Sequence, residues 1–299
     1  MTLQSRRAAM RVLGGLGLGS ALVRCGVPAM APADGTAGGT ATSGGGAAGG
    51  ATSGGSAGGT AVDGGSVSPS WAVGTGAFFA GRPSTNPFTG DVGPSCVVFP
   101  AATKGPCHAF SFERREMSEG LLGLPTRLEL LVLDPRCRPV PGAKVDVWHA
   151  SPGGLYSAAP VGGVTAPQLN AGFCTMNDGT ARAAGWFRAF QLTSAEGRVS
   201  FETVFPGWYP GRAWHVHFTV SVGGTESITS QLFADDALTT DVYTTHPVYA
   251  GRPPSAAGYT SNATDGAFAR AGLTPSQVVM RHEKRDDGSL LMWKSITVR

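Results

Sequence analysis

The sequence predicts an all-β domain, a sandwich or a barrel, on three observations. Short apolar runs with a period of two recur from Leu128 to Phe233. Turn residues separate them, at Asp134-Pro135, Pro139 to Gly142, Pro206-Gly207 and Gly223-Gly224. Helical periodicity is scarce, with only Ala267 to Ala271 and Pro275 to His282 reading as short pieces. Strands spaced by Gly/Pro turns are the mark of such folds.

The strands follow in order. Leu128 to Leu133 (LELLVL) stops at Asp134-Pro135, and after a Pro-Val-Pro-Gly turn Ala143 to Ala150 (AKVDVWHA) alternates. Tyr156 to Trp186 is a long Gly/Ala-rich segment without periodicity that carries Cys174. A loop of that length in a compact domain is usually functional. Gly197 to Phe205 alternates, and Trp214 to Val222 and Glu226 to Phe233 complete the set.

The domain occupies 71–299. Ahead of it, 32–70 is mostly Gly, Ala, Ser and Thr, with no aromatic residue and almost no charge. Such a stretch buries too little apolar surface to offset its ordering entropy and reads as a flexible linker. Residues 1–31 read as an export signal: Arg6, Arg7 and Arg11, an apolar stretch from Val12 to Val23, and a small-x-small site at Ala29 to Ala31. As a helix that stretch spans only about 18 Å, against a bilayer core of about 30 Å, so no membrane span is expected. Ser5-Arg6-Arg7 resembles a twin-arginine address. Cys25 also fits a lipid-anchored cysteine, although Arg24 stands where a small residue is usual.

Charged residues make up 14% of the chain and the net charge is +3, with no basic stripe, so nothing points to nucleic acid. Four cysteines fall in the domain: Cys96, Cys107, Cys137 and Cys174. An even count in an exported chain predicts two disulfides, and three pairings are open.

Candidate chemistry centres on Gly207 to Val220 (GWYPGRAWHVHFTV). His215 and His217 lie two apart on a strand, so both imidazoles leave by one face. They either face solvent or converge on a metal. The preceding turn carries Tyr209 and Arg212 back over the strand, and Tyr156 follows the 145–150 strand and a Gly153-Gly154 turn. His108, His149, His246 and His282 are isolated and read as structural or loop residues. Two phenols with two imidazoles on one metal select ferric iron. A phenol with a free pKa of about 10 stays deprotonated near neutral pH only on a highly charged cation, whereas zinc draws Cys, His and carboxylate. A cupin-type site also uses His-x-His but needs a glutamate shortly after, and the next one, Glu226, lies beyond the Gly223-Gly224 turn.

These pieces resemble the intradiol ring-cleaving catechol dioxygenases, closest to secreted members similar to the protocatechuate 3,4-dioxygenase subunits. The matching stretches are KGPC (Lys104 to Cys107), PVPGAKVDVWHASPGGLYS (Pro139 to Ser157), Gly185 to Phe218, SQLF (Ser230 to Phe233) and NATDGAF (Asn262 to Phe268). VDVWHA…GxYS combined with PGWYPGRxxHxH carries the specificity; a lone His-x-His does not. The resemblance implies a β-sandwich of two mixed sheets with long active-site loops and few short helices. It also implies one non-haem Fe(III) per chain, held by Tyr156, Tyr209, His215 and His217. It sets Arg212 beside the substrate, Gln231 behind the ligands, and Tyr209 as the ligand a substrate displaces. The implied reaction cleaves a small aromatic diol with O2 to a cis,cis-muconate-type diacid. It further pairs Cys96 with Cys137 and Cys107 with Cys174. Cys107 departs from the Tyr or Phe usual there, and the loop after Ser157 is longer than in relatives. The rival reading is an exported, non-catalytic β-sandwich binding module on a flexible tether.

Overall fold

Two mixed sheets, nine strands in all among the described residues, carry the domain. The structure is a computed structural model that describes residues 70–89 and 97–299. The expected export signal, Cys25, Cys96 and all but the last residue of the expected linker lie outside those residues. In chain order the strands are β1 (Phe112–Glu113), β2 (Pro125–Leu133), β3 (Lys144–Trp148), β4 (Arg188–Leu192), β5 (Arg198–Val204), β6 (His215–Val222), β7 (Thr225–Phe233), β8 (Arg281–Lys284) and β9 (Leu290–Thr297). One sheet runs β1-β4-β3-β6-β7 and the other β5-β2-β9-β8. Each has one parallel pair, β1 with β4 and β2 with β9, among antiparallel neighbours.

The alternation in the sequence builds the core between the sheets. Leu128, Leu130 and Val132 of β2 and Val199 and Phe201 of β5 share one apolar cluster with Val145 and Val147 of β3 and Val216, Phe218 and Val220 of β6. Burying each such side chain contributes about 1.5–3 kcal/mol. The alternate face of β6 carries His215 and His217, which are also buried. The far face of β2 buries Arg127 and Glu129. Their partners make this tolerable: Arg127 donates to Glu202 at 2.9 Å and to the Pro83 carbonyl at 2.8 Å, and Glu129 accepts from Arg198 at 3.1 Å. Part of the chain ahead of β1 thus lies over this face.

Five α-helices and a single 3-10 turn (Gly76–Phe79) complete the described fold. Two of them, α1 (Ala171–Cys174) and α2 (Gly179–Ala183), sit in the long aperiodic segment, where Asn170 and Asp178 cap their first turns. The longest is α3 (Asp236–Thr245), capped by Asp235. The remaining two are α4 (Gly266–Arg270) and α5 (Pro275–Val278). The expected helix from Pro275 to His282 therefore ends four residues early. Met280 donates its backbone N–H to Phe233 at the end of β7, and this capture draws the chain into β8, an edge strand that includes His282. No helix among the described residues is long and apolar enough to cross a membrane.

Two further ties tighten the fold. Cys107 and Cys174 form a disulfide that closes a separation of 67 residues, the expected pairing. Cys137 is also disulfide-bonded, while its expected partner Cys96 lies outside the described residues. His149, directly after β3, is fully buried, stacks on Phe187, and places Nε2 2.9 Å from the Thr203 hydroxyl of β5.

Replacing Cys107 and Cys174 together by serine is expected to lower unfolding free energy by about 4 kcal/mol on the chain-entropy account of a loop this long, read by urea denaturation. His149 makes stability pH-dependent. Burial lowers its pKa to about 4 from 6.5, so between those values the unfolded chain binds a proton the fold refuses. Its contribution, on the order of 3 kcal/mol, is fully present above about pH 6.5 and is lost as pH falls toward 4. Thermal midpoints should drop over that range, and less steeply in His149→Gln.

Candidate functional site

Four side chains meet on the histidine face of β6. His215 pairs in register with Phe233, and His217 lies between Trp148 of β3 and Gln231 of β7. The two imidazole centroids are 4.8 Å apart. Nδ1 of His215 donates to the Ala213 carbonyl at 2.7 Å, which leaves Nε2 as a bare lone pair. The Tyr156 and Tyr209 hydroxyls each lie 3.1 Å from that nitrogen. His217 is held flat against the Trp148 indole, centroids 5.0 Å apart and planes within 3°. His108 packs edge-on to Trp148, at 4.6 Å, beside Asp146, so it backs the stack and stays outside the cluster.

The tyrosines reach this point because two turns press together. The first, Ser151 to Leu155, is closed by the Ser151 N–H on the Leu155 carbonyl at 2.7 Å. At its tip Gly154 has φ +84°, and a Cβ there would lie 2.3 Å from the Trp208 carbonyl. Gly207 reciprocates: its N–H donates to Ser151 at 3.1 Å, and a Cβ would lie 2.0 Å from the Pro152 carbonyl. Backbone therefore packs on backbone, a contact only glycine permits. Tyr156 leaves the first turn fully buried, its N–H donating to the Cys174 carbonyl at 2.9 Å. Tyr209 leaves the second half-buried, facing the pocket.

Arg212 closes the group. Its Nε donates to Asp265 at 3.0 Å, and Nη2 donates to Gln231 Oε1. Gln231 in turn donates to the Thr103 carbonyl at 2.9 Å. Asp265 is the residue that sequence reasoning passed over. Its buried carboxylate takes Arg212 and the Ala213 N–H (2.9 Å) on one oxygen, and caps α4 through the Ala267 and Phe268 N–H groups (2.7 and 3.0 Å) on the other. The available signal was an Asp ahead of Gly-Ala-Phe in a stretch already singled out.

Burial pushes the Tyr156 hydroxyl well above the ordinary phenol range, and adjacent Tyr209 adds to it. Burial raises Tyr209 as well, against the lowering effect of Arg212. Both imidazoles are held well below the usual histidine value, first by burial, then by Arg212 for His215 and by His215 for His217. With protons alone the cluster is thus four neutral groups, in which two phenols compete for one lone pair. One imidazole lone pair accepts one good hydrogen bond. A single cation at that point would satisfy all three converging atoms, and phenolic oxygens suit a hard one. The donor set therefore fits a bound ferric ion.

Residues 113–253 match the family model described as Dioxygenase. The chain is 31% identical over 109 residues to hydroxyquinol 1,2-dioxygenase of Rhizobium sp. (strain MTP-10005), covering 35% of this chain and 36% of that one. It is 27% identical over 150 residues to catechol 1,2-dioxygenase of Acinetobacter baylyi, covering 50% and 48%. The matched part thus spans less than half the length of these curated relatives. The intradiol ring-cleavage dioxygenase from Tetranychus urticae superposes with a TM-score of 0.56 at 24% identity, covering 68% of this chain and 95% of that one, a likeness of fold. Residues 113–253 thus carry the Dioxygenase match, and the fold is that of intradiol ring-cleavage dioxygenases.

Asp265 yields a test of the anchoring. Asp265→Ala removes a buried ion-pair partner and a helix cap together and should cost about 3–5 kcal/mol in urea denaturation. Asp265→Asn keeps the capping oxygen and should cost distinctly less.

Proposed function

We propose that the domain is a non-haem Fe(III)-dependent intradiol dioxygenase, cleaving a catechol-type ring with O2 to a cis,cis-muconate-type diacid. The observation that carries this reading is the convergence of two phenolic oxygens on one imidazole nitrogen at 3.1 Å, with a second imidazole on the same strand face. Tyr156, Tyr209, His215 and His217 would hold the metal. Ferric iron bound there would supply a Lewis acid that draws electron density from a chelated diol and opens the ring to O2.

The protein's own groups divide the remaining work. Tyr156, buried and tied to Cys174, is the fixed phenol. Tyr209, half-buried at the pocket, is the one a substrate reaches, and burial has raised its proton affinity. Held as a phenolate by the metal, its oxygen would be suited to take a diol proton as the substrate binds. Arg212 is held between Asp265 and Gln231 so that its charge can stabilise developing negative charge on the substrate oxygens. The disulfides at Cys107–Cys174 and Cys137 fit an oxidising compartment and so support export.

Purified protein is expected to be red-brown with about one iron per chain, by metal analysis and visible absorption. Tyr156→Phe should lose much of the phenolate-to-iron absorption and at least about a hundredfold in ring cleavage; a binding module would be indifferent. A colourless protein that remains inert after Fe(III) reconstitution overturns the reading.

A further inference from the structure

A cavity of about 310 Å³ opens from Tyr156 and Tyr209 and is walled by the Cys107–Cys174 disulfide, Phe173, Met176 and Pro210. That volume lies at the small end of pockets for drug-sized ligands, roughly 300–1,000 Å³, and leaves room beyond one aromatic ring. Its lining contains no charged side chain. Phe173 and Met176 are 58% and 55% exposed, although chains usually keep such residues from water. They flank Cys174 on a segment that is firmly held. The Asn170 N–H donates to Pro106 at 2.9 Å, the Asn170 side chain caps Phe173 at 3.3 Å, and the disulfide closes the ring. Two large apolar groups are thus fixed facing the cavity, where burial against a ligand is favourable.

The nearby cations are already engaged. Arg212 serves Asp265 and Gln231. Arg188 is buried and donates to the Ser157 and Cys107 carbonyls at 2.6 and 2.7 Å. Arg252, the cation nearest the rim at Gly154, lies over Trp208 at 4.3 Å and donates to the Gly153 carbonyl. With Arg212 committed to the diol end, a carboxylate carried on the far side of the ring into this cavity would shed water and meet no charged side chain in the lining, which is costly.

We infer that the pocket selects an uncharged aromatic diol bearing an apolar substituent, and that Phe173 and Met176 set this preference. The inference rests on the ring-cleavage reading for the diol, and on the pocket alone for the substituent. The test therefore begins on iron-free protein, with para-tert-butylphenol and para-hydroxybenzoate as probes in calorimetric titration. The alkyl probe should bind at least about tenfold tighter. Phe173→Ala with Met176→Ala should shrink that ratio at least about fivefold with the circular dichroism unchanged, and Phe173→Arg should shift it toward the carboxylate. Iron-loaded protein should then consume oxygen faster with a tert-butyl catechol than with a dihydroxybenzoate. No binding of the alkyl probe, equal or tighter binding of the carboxylate, or a ratio untouched in the double variant each overturns the inference. Carboxylate binding that disappears in Arg252→Gln would overturn it in favour of the rim arginine. Ring cleavage without the preference sinks this inference and leaves the enzyme reading standing. The binding preference without oxygen uptake on any diol does the reverse.

Discussion

The site depends on one backbone contact, the packing of the Ser151 to Leu155 turn against Pro206 to Trp208. Neither turn has room for a side chain where they touch, so neither can retreat without breaking hydrogen bonds to the other. The two segments are far apart in sequence and follow strands of different sheets, β3 in one and β5 in the other, the second turn leading into β6, which pairs with β3. What sheet pairing brings near, the glycines bring into contact. Tyr156 and Tyr209 are carried along and end on one imidazole nitrogen. The strand supplies direction for the histidines, and the turn contact supplies distance for the tyrosines.

Around this core the protein uses different means to hold each side chain of the cluster. His215 is oriented by a hydrogen bond to a carbonyl two residues back, so its own strand entry aims it. His217 has an aromatic neighbour, and ring stacking fixes its plane. Tyr156 is set by its backbone and Tyr209 by the turn. Arg212 is the only charged member, and it is steadied by a carboxylate whose other oxygen organises a helix. That graded support leaves Tyr209 as the least enclosed of the four, in keeping with the role proposed for it.

Much of this was legible in the residues. The strands with a two-residue apolar rhythm, β2, β3, β5, β6 and β7, were visible because each has a face on the core. Others were silent for physical reasons. Arg281–Lys284 is an edge strand whose RHEK sequence has no apolar face, and it forms because β9 offers it a partner. β4 hides in RAFQL, where the core-facing members are Ala189 and Gln191 and the other face buries Arg188. Helices α1 and α2 are too short for a period, and their caps, Asn170 and Asp178, are common in turns as well. At the site, His-x-His and the tyrosines could be named from spacing and resemblance. The role of Asp265 could not, because it arises only when α4 folds back beside Arg212.

The disulfide of Cys107 with Cys174 has a consequence for how the molecule matures. It joins the approach to the tyrosine and histidine cluster to the wall that carries Phe173, so pocket shape and thiol oxidation are linked variables. A chain folded with both thiols reduced could assemble its sheets and bring the four side chains of the cluster together while its wall remained free to drift. Assembly of the four-residue cluster and shaping of the pocket wall are therefore separable steps, the second tied to the redox state of the surroundings.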